Sequence, residues 1–449
     1  MGNEALFRDK PVWKGIFSLA IPAVLTILIM VIYHMADMFF IAMLKDDTQT
    51  AAVSVVSPVF SIATAVGTML GAGGCAVIAK KLGAKQDAEA QSVGSLCIWG
   101  SLLFGVIFAA VVIPGTPVVL KILGATEDMQ AYSGIYLRIL ALGAPVMLFS
   151  TTVGSVIRAE GAIIPGMLCN IAGTVANLIL DPLFIFALRM GVAGAAIATV
   201  IGNLVASVLL GVVIRTKTRV LTFSPMPALR HPQLLLYTMA LGLPNALSSV
   251  LSGMASTFSN RLLSIYGSGA IAAMAAAGRA SMVISMVQMG ICMGLTPMLA
   301  YNYGAGNLPR LKEILVKTSV LTTIFGFVST LLCFAFRDPL IGLFLDDPAN
   351  MEISRSFLTW LLLASPLLGF FYLSSNYFQA AGNAFLATLI SVLRQGVLLI
   401  PCLYLFHALL GLPGIGAAHL ASDIVSVGIA GILFAVCWKR LQAGAKLPA

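Results

Sequence analysis

The two halves of this sequence carry the same landmarks at an offset of about 221 residues. Leu19-Ala20-Ile21-Pro22 in the first half returns as Leu241-Gly242-Leu243-Pro244 in the second. Other repeated landmarks are Lys81-Leu82-Gly83-Ala84 with Asn302-Tyr303-Gly304-Ala305, Pro145 with Pro366, Gly161 with Gly382, and Gly194-Ala195-Ala196 with Gly416-Ala417-Ala418. Two homologous halves rich in apolar runs are typical of secondary transporters, whose binding site lies between the repeats.

The composition excludes a soluble globular protein. Apolar residues make up 59% of the 449 residues, charged residues only 10%, and the mean hydropathy is +1.00, whereas soluble domains are about a quarter charged. A membrane-spanning helix needs about 20 apolar residues. Twelve such spans are predicted, at roughly 15–44, 51–79, 91–113, 129–155, 162–187, 191–214, 235–265, 270–301, 314–336, 353–379, 385–408 and 413–438.

We therefore expect an all-α polytopic membrane protein with twelve transmembrane helices in two six-helix lobes related by the internal repeat. The N-lobe is predicted at 1–214 and the C-lobe at 235–449. The stretch 215–234 contains three prolines among basic residues, which indicates a cytoplasmic inter-lobe linker. The long, continuously apolar runs exclude a membrane β-barrel, whose strands alternate apolar and polar residues.

Charge placement predicts the orientation, because basic residues concentrate in cytoplasmic loops. The basic loops carry Arg8, Lys10 and Lys14; Lys80, Lys81 and Lys85; Arg215, Lys217, Arg219 and Arg230; Arg310 and Lys312; and Lys439, Arg440 and Lys446. The alternate loops carry Asp46, Asp47, Glu127, Asp128, Asp338, Asp346, Asp347 and Glu352. With an even number of spans, both termini lie in the cytoplasm of a bacterial cell, and the protein is integral to its cytoplasmic membrane. The net charge of +9 therefore reflects topology, and we do not expect nucleic-acid binding.

Polar side chains follow one face of several spans at helical spacing. Span 2 carries Ser54, Ser57, Ser61, Thr64 and Thr68; span 5 carries Asn170, Thr174, Asn177 and Asp181; span 7 carries Asn245, Ser248 or Ser249, Ser252, Ser256 and Asn260. Such faces either line a hydrated cleft or join neighbouring helices. On the first interpretation, Asn245, Ser252, Ser256 and the aromatic Tyr33 of span 1 are candidates for the substrate cavity.

Span 8 carries a methionine stripe at Met282, Met286, Met289 and Met293. Methionine is flexible and polarisable, so this stripe is a candidate wall for varied apolar ligands. Ordinary core packing or lipid contact is the alternative interpretation.

Two carboxylates inside the membrane are the strongest candidates for ion coupling. Counting 1.5 Å per residue from the cytoplasmic ends, Asp37 lies roughly 33 Å along span 1 and Asp181 roughly 28 Å along span 5. Asn177 is one turn from Asp181, and Thr199 of span 6 reaches the same depth. Burial disfavours a charged carboxylate, so this oxygen-rich layer suits a proton or Na⁺. The alternative is that both carboxylates lie at a water boundary.

Other residues within spans allow more than one interpretation. Pro22 removes a helical hydrogen bond and is a candidate hinge, although Pro244 occupies the same repeat position and both prolines can be structural. Arg394 and Asp423 are predicted near the midplane on consecutive spans, where a buried ion pair is expected, and His419 lies one turn from Asp423. This cluster reads as structural rather than coupling. Arg279 either faces the cleft or extends to the outer surface.

These motifs together resemble the multidrug and toxic compound extrusion (MATE) transporters. The resemblance rests on the twelve-span repeat, on Pro22 with Asp37, on Asn177-x-x-x-Asp181-Pro182, on Gly83-Ala84 with its echo Gly304-Ala305, and on Arg158-Ala159-Glu160-Gly161. It covers nearly the whole chain, and within the family it is to the DinF-like branch that includes the MepA-like pumps.

The resemblance implies a V-shaped pair of lobes around a central cavity that opens alternately to either side. It implies an antiporter that exports organic, mostly lipophilic cations against H⁺ or Na⁺ and needs no other cofactor. We expect a monomer, because the two-lobe chain is self-sufficient, and no enzyme, because no Asp-rich or His-Glu motif lies within a span. It assigns ion coupling, including a possible Na⁺ site, to Asp37, Asn177, Asp181 and Thr199. The NorM-like branch also has acidic residues in spans 7 and 10, but here those spans offer Asn245, Asn260 and Asn376. Cation coordination by the C-lobe, as in that branch, is therefore not expected.

A lipid-linked precursor flippase or a polysaccharide exporter of the same superfamily is the alternative function. A flippase inverts anionic headgroups and predicts several central arginines, of which only Arg279 and Arg394 qualify here.

Overall fold

The computed structural model describes residues 5–44, 46–345 and 347–443, and every regular element within them is a helix. Eleven of these helices are individually long and apolar enough to cross a membrane, and one bent pair provides a twelfth span. The twelve predicted spans are thereby confirmed. In chain order, spans 1 to 9 are Val12–Ala42, Asp47–Gly83, Asp87–Ile122, Glu127–Val156, Ile163–Pro182, Val192–Lys217, Gln233–Leu263, Ser268–Gly304 and Leu308–Ala335. Span 10 is Pro348–Leu363 with Ser365–Ala381, span 11 is Ala384–Val392 with Leu399–Leu410, and span 12 is Leu412–Gln442.

Two π-helical segments interrupt the regular α-helices. Several short helices lie outside the spans. The π-helical segments are Leu183–Ala187 after span 5 and Leu393–Leu398 within span 11. The short connecting helices are Ala5–Arg8, Ile157–Glu160, Met226–Arg230, Ser264–Tyr266 and Arg337–Gly342. Asp46 caps the N-terminus of span 2. Its carboxylate accepts hydrogen bonds from the backbone N–H groups of Thr48 and Gln49 and from the Gln49 side chain. These bonds, above all those from Gln49, lower the pKa of Asp46.

Span 10 bends by 47° between its two helices, which the apolar run alone did not predict. Pro366 has no N–H to donate to the carbonyl of Leu362 four residues earlier. The hydroxyl of Thr330 donates to that carbonyl instead, at 3.3 Å. The side-chain amide of Gln288 donates to the Ser365 carbonyl at 2.9 Å. Neighbouring side chains therefore compensate for the backbone bonds lost at the bend.

The chain packs as two compact units. Unit 1 consists of the residues up to Asp9 and of Leu25–Gly242, and unit 2 consists of Lys10–Val24 and of Leu243 onwards. These units differ from the predicted lobes because the first parts of spans 1 and 7 are exchanged. The exchange points lie within two residues of the two repeated prolines, Pro22 and Pro244.

Close contacts at glycines explain this grouping. Within unit 2, a Cβ added to Gly294 of span 8 would lie 2.7 Å from Ala23 Cβ and 2.8 Å from the Leu19 carbonyl oxygen. Within unit 1, Gly73 of span 2 packs against the backbone of span 7 at Thr238 and Gly242. Gly73 and Gly294 occupy the same position in the repeat, so both halves use a glycine of their second span for this contact.

The first part of the predicted linker is fixed to unit 1. Glu160 is 8% exposed, and its carboxylate accepts the backbone N–H groups of Arg219 at 2.6 Å, Val220 at 3.2 Å and Leu221 at 2.9 Å. Ser95 and Trp99 of span 3 donate to the carbonyls of Ser224 and Phe223. We call residues 218–224 the strap. The sequence did not identify the strap as the partner of Glu160.

The core of unit 1 lies beside the predicted ion layer. Ile41 of span 1, Val56 of span 2, Tyr136 of span 4 and Ala196 of span 6 are buried in one apolar cluster. Ile41 is one turn beyond Asp37, and Ala196 is one turn before Thr199. The packing of this cluster therefore holds the polar residues of four different spans at a common level.

Candidate functional site

Span 5 presents one buried face that ends at the candidate carboxylate. Gly166, Cys169, Gly173, Asn177 and Asp181 are buried at steps of three and four residues. Asn170 and Thr174, which were predicted on the polar face, are only half-buried beside it. Asp181 is followed by Pro182, where the α-helix ends and the π-helical segment begins. Such single π-turns within helices are frequent at functional sites.

Two glycines bring spans 5 and 6 into close contact at this face. A Cβ on Gly173 would lie 2.6 Å from the Gly202 carbonyl oxygen, and a Cβ on Gly202 would lie 2.7 Å from the Gly173 oxygen. A Cβ on Gly202 would also lie 2.8 Å from Asn177 Cβ. Because Thr199 is one turn from Gly202, this backbone contact places Thr199 next to Asn177.

The polar side chains of the layer meet through the Asn177 amide. Its Nδ2 donates to Thr199 Oγ1 at 3.4 Å and to Asp181 Oδ1 at 3.5 Å. The Tyr33 hydroxyl lies 3.5 Å from Thr199 Oγ1. Asp37 is close enough to interact electrostatically with Asp181 and with Tyr33. All four residues predicted for ion coupling therefore lie in one cluster of unit 1, which we call the acidic cluster.

Three oxygen atoms of the acidic cluster are buried without a hydrogen-bond donor among the described residues. They are Asp37 Oδ1, Asn177 Oδ1 and Asp181 Oδ2. A buried polar atom left without a partner costs about 1–3 kcal/mol, and more when it is charged. All three atoms are acceptors, so their chemical complement is a proton or a cation. A set of carboxylate, amide and hydroxyl oxygens also suits a hard ion such as Na⁺.

Two tyrosines belong to this cluster in a way that the sequence did not indicate. Tyr33 was predicted for the substrate cavity, yet its hydroxyl lies beside Thr199 of the acidic cluster. Tyr136 was not singled out, but it is 7% exposed and packs in one buried cluster with Ile41 and Ile185, which lie one turn beyond Asp37 and Asp181. Its depth could have been calculated from the sequence, because it lies nine residues from the start of span 4, or about 14 Å along the helix.

The polar stripe of span 2 forms hydrogen bonds within its own helix. The hydroxyls of Ser54, Ser61 and Thr64 donate to carbonyls four residues earlier, at 3.1, 3.0 and 3.3 Å. Ser54, Ser57 and Ser61 are exposed. Both interpretations of this stripe, a hydrated cleft and helix packing, stay predictions.

The remaining candidates for the substrate cavity are separated in unit 2. Ser252 and Ser256 line a cavity with Arg394, His419 and Asp423. Asn245 is exposed and lies outside that cavity. The four methionines of span 8 are exposed or half-buried, while Gln288 on the opposite face is buried. The substrate roles of Asn245 and of the methionines stay predictions.

The expected ion pair in unit 2 is present. Arg394 Nε lies 2.7 Å from Asp423 Oδ1, and both side chains are 15% exposed. His419 lines the same cavity, and its Nε2 is buried without a partner among the described residues. Arg279 is exposed, with its guanidinium 5.6 Å from the ring of Phe344 in a connecting segment. This contact supports the interpretation that Arg279 extends towards the outer surface.

Comparison with known proteins shows the family to which the chain belongs. The sequence model of the MatE family matches residues 22–183 and again residues 244–405, one match to each repeat. The chain is 31% identical over 428 residues to the multidrug export protein MepA of Staphylococcus saprophyticus, covering 95% of this chain and 94% of that protein. It is also 31% identical over 418 residues to MepA of Staphylococcus aureus strain N315, covering 92% of each.

Solved structures of transporters share the fold. An outward-facing multidrug resistance MATE transporter of the MOP superfamily superposes with a TM-score of 0.91 at 24% identity, covering 99% of both chains. A MATE crystal structure in the straight conformation gives a TM-score of 0.90, also at 24% identity, and covers 98% of this chain and 99% of that one.

Proposed function

Because the chain belongs to the MatE family of multidrug and toxic compound extrusion transporters, we propose that it exports lipophilic organic cations in antiport with H⁺ or Na⁺. The observation that carries the coupling proposal is the acidic cluster, in which Asp37, Asn177 and Asp181 each bury an acceptor oxygen that no described residue supplies with a donor. The 31% identity to multidrug export proteins over most of the chain supports drug-like substrates. MepA is named for multidrug export, and no narrower substrate follows from that name.

The chemistry of the acidic cluster explains how an ion gradient can do work. Without a bound ion, Asp37 and Asp181 place two like charges close together in a buried site, which is costly. Entry of a proton or Na⁺ removes part of this cost. Tyr33 and Thr199 can turn their hydroxyls towards either an anionic or a neutral carboxyl group. The two occupancy states therefore differ in free energy, and alternating access can use that difference.

Span 1 provides a route from ion occupancy to a change of shape. Asp37 lies 15 residues beyond Pro22 on the same helix, and the packing of this helix changes from unit 2 to unit 1 just after Pro22. A proline removes one helical hydrogen bond and permits bending at that point. We propose Pro22 as the hinge at which span 1 bends when the acidic cluster gains or loses its ion.

The transporter is proposed to act as a monomer in the bacterial cytoplasmic membrane with both termini in the cytoplasm. The excess of Lys and Arg in alternate loops supports this orientation. A flippase function is less well supported. Arg394 is paired with Asp423, and Arg279 extends to the ring of Phe344 in a connecting segment, so the two arginines do not form the group of central cations that an anionic headgroup requires.

The coupling proposal is tested by export from proteoliposomes of purified protein. Asp181→Asn keeps the side-chain volume and removes the titratable charge, so we expect export driven by an ion gradient to fall by about 100-fold or more, as is typical when a proton-transfer group is lost. Asp37→Asn should behave in the same way. Asp338→Asn is the matched control, because Asp338 is an exposed carboxylate of the connecting helix Arg337–Gly342 and pairs with Arg355.

The same vesicles distinguish the coupling ion, since either a pH gradient or a Na⁺ gradient can be imposed alone. The melting temperature of each variant shows whether it is folded. Normal export by folded Asp181→Asn would place the coupling site elsewhere in the chain.

A further inference from the structure

Unit 2 contains a polar cavity that the acidic cluster does not use. It encloses about 190 Å³ and is lined by Ser252, Ala255, Ser256, Arg394, Gln395, Leu399, His419 and Asp423. Pockets for whole drug-sized ligands measure roughly 300–1,000 Å³, so this cavity suits a charged head group and not a complete drug. Ser256 is exposed, which shows that the cavity is open on the side of span 7.

The cavity exists because the two repeats differ at one contact. In unit 1, Gly173 and Gly202 bring the backbones of spans 5 and 6 together. The matching positions in unit 2 carry Arg394 and, within one residue, Asp423. Their ion pair replaces the glycine contact between spans 11 and 12. With the repeat offset of 221 or 222 residues, Asn177 matches Leu398 or Leu399, and Asp181 matches Cys402 or Leu403. Unit 2 therefore has no charged residue at the positions of the acidic cluster, and its ion pair lies one helical turn away from them.

Arg394 has partners that do not depend on Asp423. Its Nη1 donates to the Tyr372 hydroxyl at 3.3 Å, and its guanidinium carbon lies 5.1 Å from the ring centroid of Phe371 and 5.5 Å from that of Tyr372. These cation–π contacts can hold the guanidinium when the carboxylate is engaged elsewhere. Arg394 also lies in the π-helical segment Leu393–Leu398, and its carbonyl accepts the Ser422 hydroxyl at 3.0 Å.

Asp423 keeps an oxygen available. Oδ1 accepts from Arg394 Nε, while Oδ2 is neither bonded to a described residue nor among the buried atoms that lack a partner. Asp423 is therefore a carboxylate in a cavity that also presents hydroxyl, amide, imidazole and guanidinium groups and two apolar side chains. No other residue that lines the cavity carries a carboxylate, so Asp423 is the acidic side chain that this cavity offers to a cation.

We propose that Asp423 is a cation-binding subsite for the head group of a quaternary ammonium substrate, and that Arg394 occupies it as a displaceable internal cation. When the substrate arrives, Arg394 leaves Asp423 and stays with Tyr372 and Phe371. Arg394 thereby sets a threshold for cation affinity, because every cationic ligand competes with the ion pair. This inference rests on the proposed export of organic cations and adds where in unit 2 the positive charge binds.

The test measures binding of benzyltrimethylammonium by calorimetry, using the full-length protein in lipid nanodiscs. We expect Asp423→Asn to weaken binding by about tenfold and Arg394→Met to strengthen it by about tenfold, because the first removes the counter-charge and the second removes its competitor. A purely structural ion pair does not produce opposite effects. Arg279→Met, which removes an arginine outside the cavity, should leave affinity unchanged.

Folding defects are separated from binding effects in two ways. The double variant Arg394→Met/Asp423→Leu leaves no unpaired charge and is expected to fold, with affinity as low as that of Asp423→Asn. In Arg394→Met, the ligand should raise the melting temperature more than in wild type, because it neutralises the Asp423 carboxylate, which this substitution leaves unpaired. Equal changes of affinity in the two single variants, or no change in either, overturn the inference. Failure of wild type and of Arg394→Met to bind any organic cation overturns the proposed function as well.

Discussion

The buried carboxylates of this protein have partners of different kinds. Glu160 accepts three backbone N–H groups of the strap, and Asp423 pairs with Arg394. Asp37 and Asp181 each retain a buried oxygen without a donor among the described residues. A carboxylate whose acceptors are satisfied stabilises one structure, whereas one with an unsatisfied oxygen has affinity left for an ion. Glu160 is of the first kind and is structural, whereas Asp37 and Asp181 are of the second kind and are suited to coupling.

Glu160 provides a prediction about stability. In Glu160→Gln the side chain keeps its shape but loses its charge, and one of its two oxygens becomes an NH₂ group that faces backbone donors. Hydrogen bonds to a charged group contribute about 1.5–3 kcal/mol, so we expect a lower melting temperature and faster proteolysis within residues 218–224.

Glu313→Gln is the control for this measurement. Glu313 pairs with Lys317 on one helix, and the two side chains are 45% and 29% exposed. Exposed pairs of this kind contribute about 0.3–0.5 kcal/mol, so the melting temperature should barely change. Equal effects of the two substitutions would show that the strap does not depend on the Glu160 carboxylate.

At the scale of helices, close approach at glycines decides which spans pack together. Gly73 meets span 7 at Thr238 and Gly242, and Gly242 in turn meets the backbone at Met69. Small residues let membrane helices approach at the backbone. Glycine contacts of the same kind join span 8 to span 1 at Gly294 and span 5 to span 6 at Gly173. Between spans 11 and 12, Arg394 and Asp423 take the place of the glycines, and a cavity lies beside them.

Two glycines of span 7 provide a matched prediction. A methyl group at Gly242 would collide with the Met69 carbonyl oxygen, whereas nothing lies within 4 Å of a Cβ at Gly253. Gly242→Ala should therefore lower stability by about 1–3 kcal/mol, the usual cost of overpacking. Gly253→Ala should leave stability unchanged or raise it by about 0.5–1 kcal/mol, because alanine suits a helix better than glycine does. Thermal unfolding of the two variants in one detergent compares them directly, and similar melting temperatures would contradict the close contact.

At the scale of the whole molecule, the chain is one polytopic protein in which each repeat matches the same family model. Both repeated prolines lie where their helices change from one compact unit to the other. The orientation of this arrangement in the membrane is predicted from loop charges, and it decides from which side an ion enters the acidic cluster.

Cysteine labelling tests this orientation. Leu229 lies between spans 6 and 7 and is 75% exposed, so Leu229→Cys should react with a membrane-impermeant maleimide only in inside-out vesicles. Thr126→Cys, between spans 3 and 4, should react in intact cells and serves as the control. Reaction of Leu229→Cys from outside intact cells would invert the proposed topology.

The sequence by itself determined the features that depend on local order along the chain. A membrane admits only helices or closed barrels, so continuous apolar runs predict the number and approximate limits of the spans. A fixed rise per residue converts residue number into depth, and this is why Asp37, Asn177, Asp181 and Thr199 were expected at one level; Asn177 does contact Asp181 and Thr199. The same reasoning predicted the Arg394–Asp423 pair.

Only the tertiary structure decided which faces of these helices meet. Thr199 lies next to Asn177 because two glycines allow backbone contact. Glu160 reaches N–H groups 59 to 61 residues further along the chain, and Tyr136 joins the acidic cluster through the packing of unit 1. Depth does not reveal the direction in which a side chain points around its helix axis. That direction is determined by close packing between residues far apart in the chain, which the periodicity of a single helix does not contain.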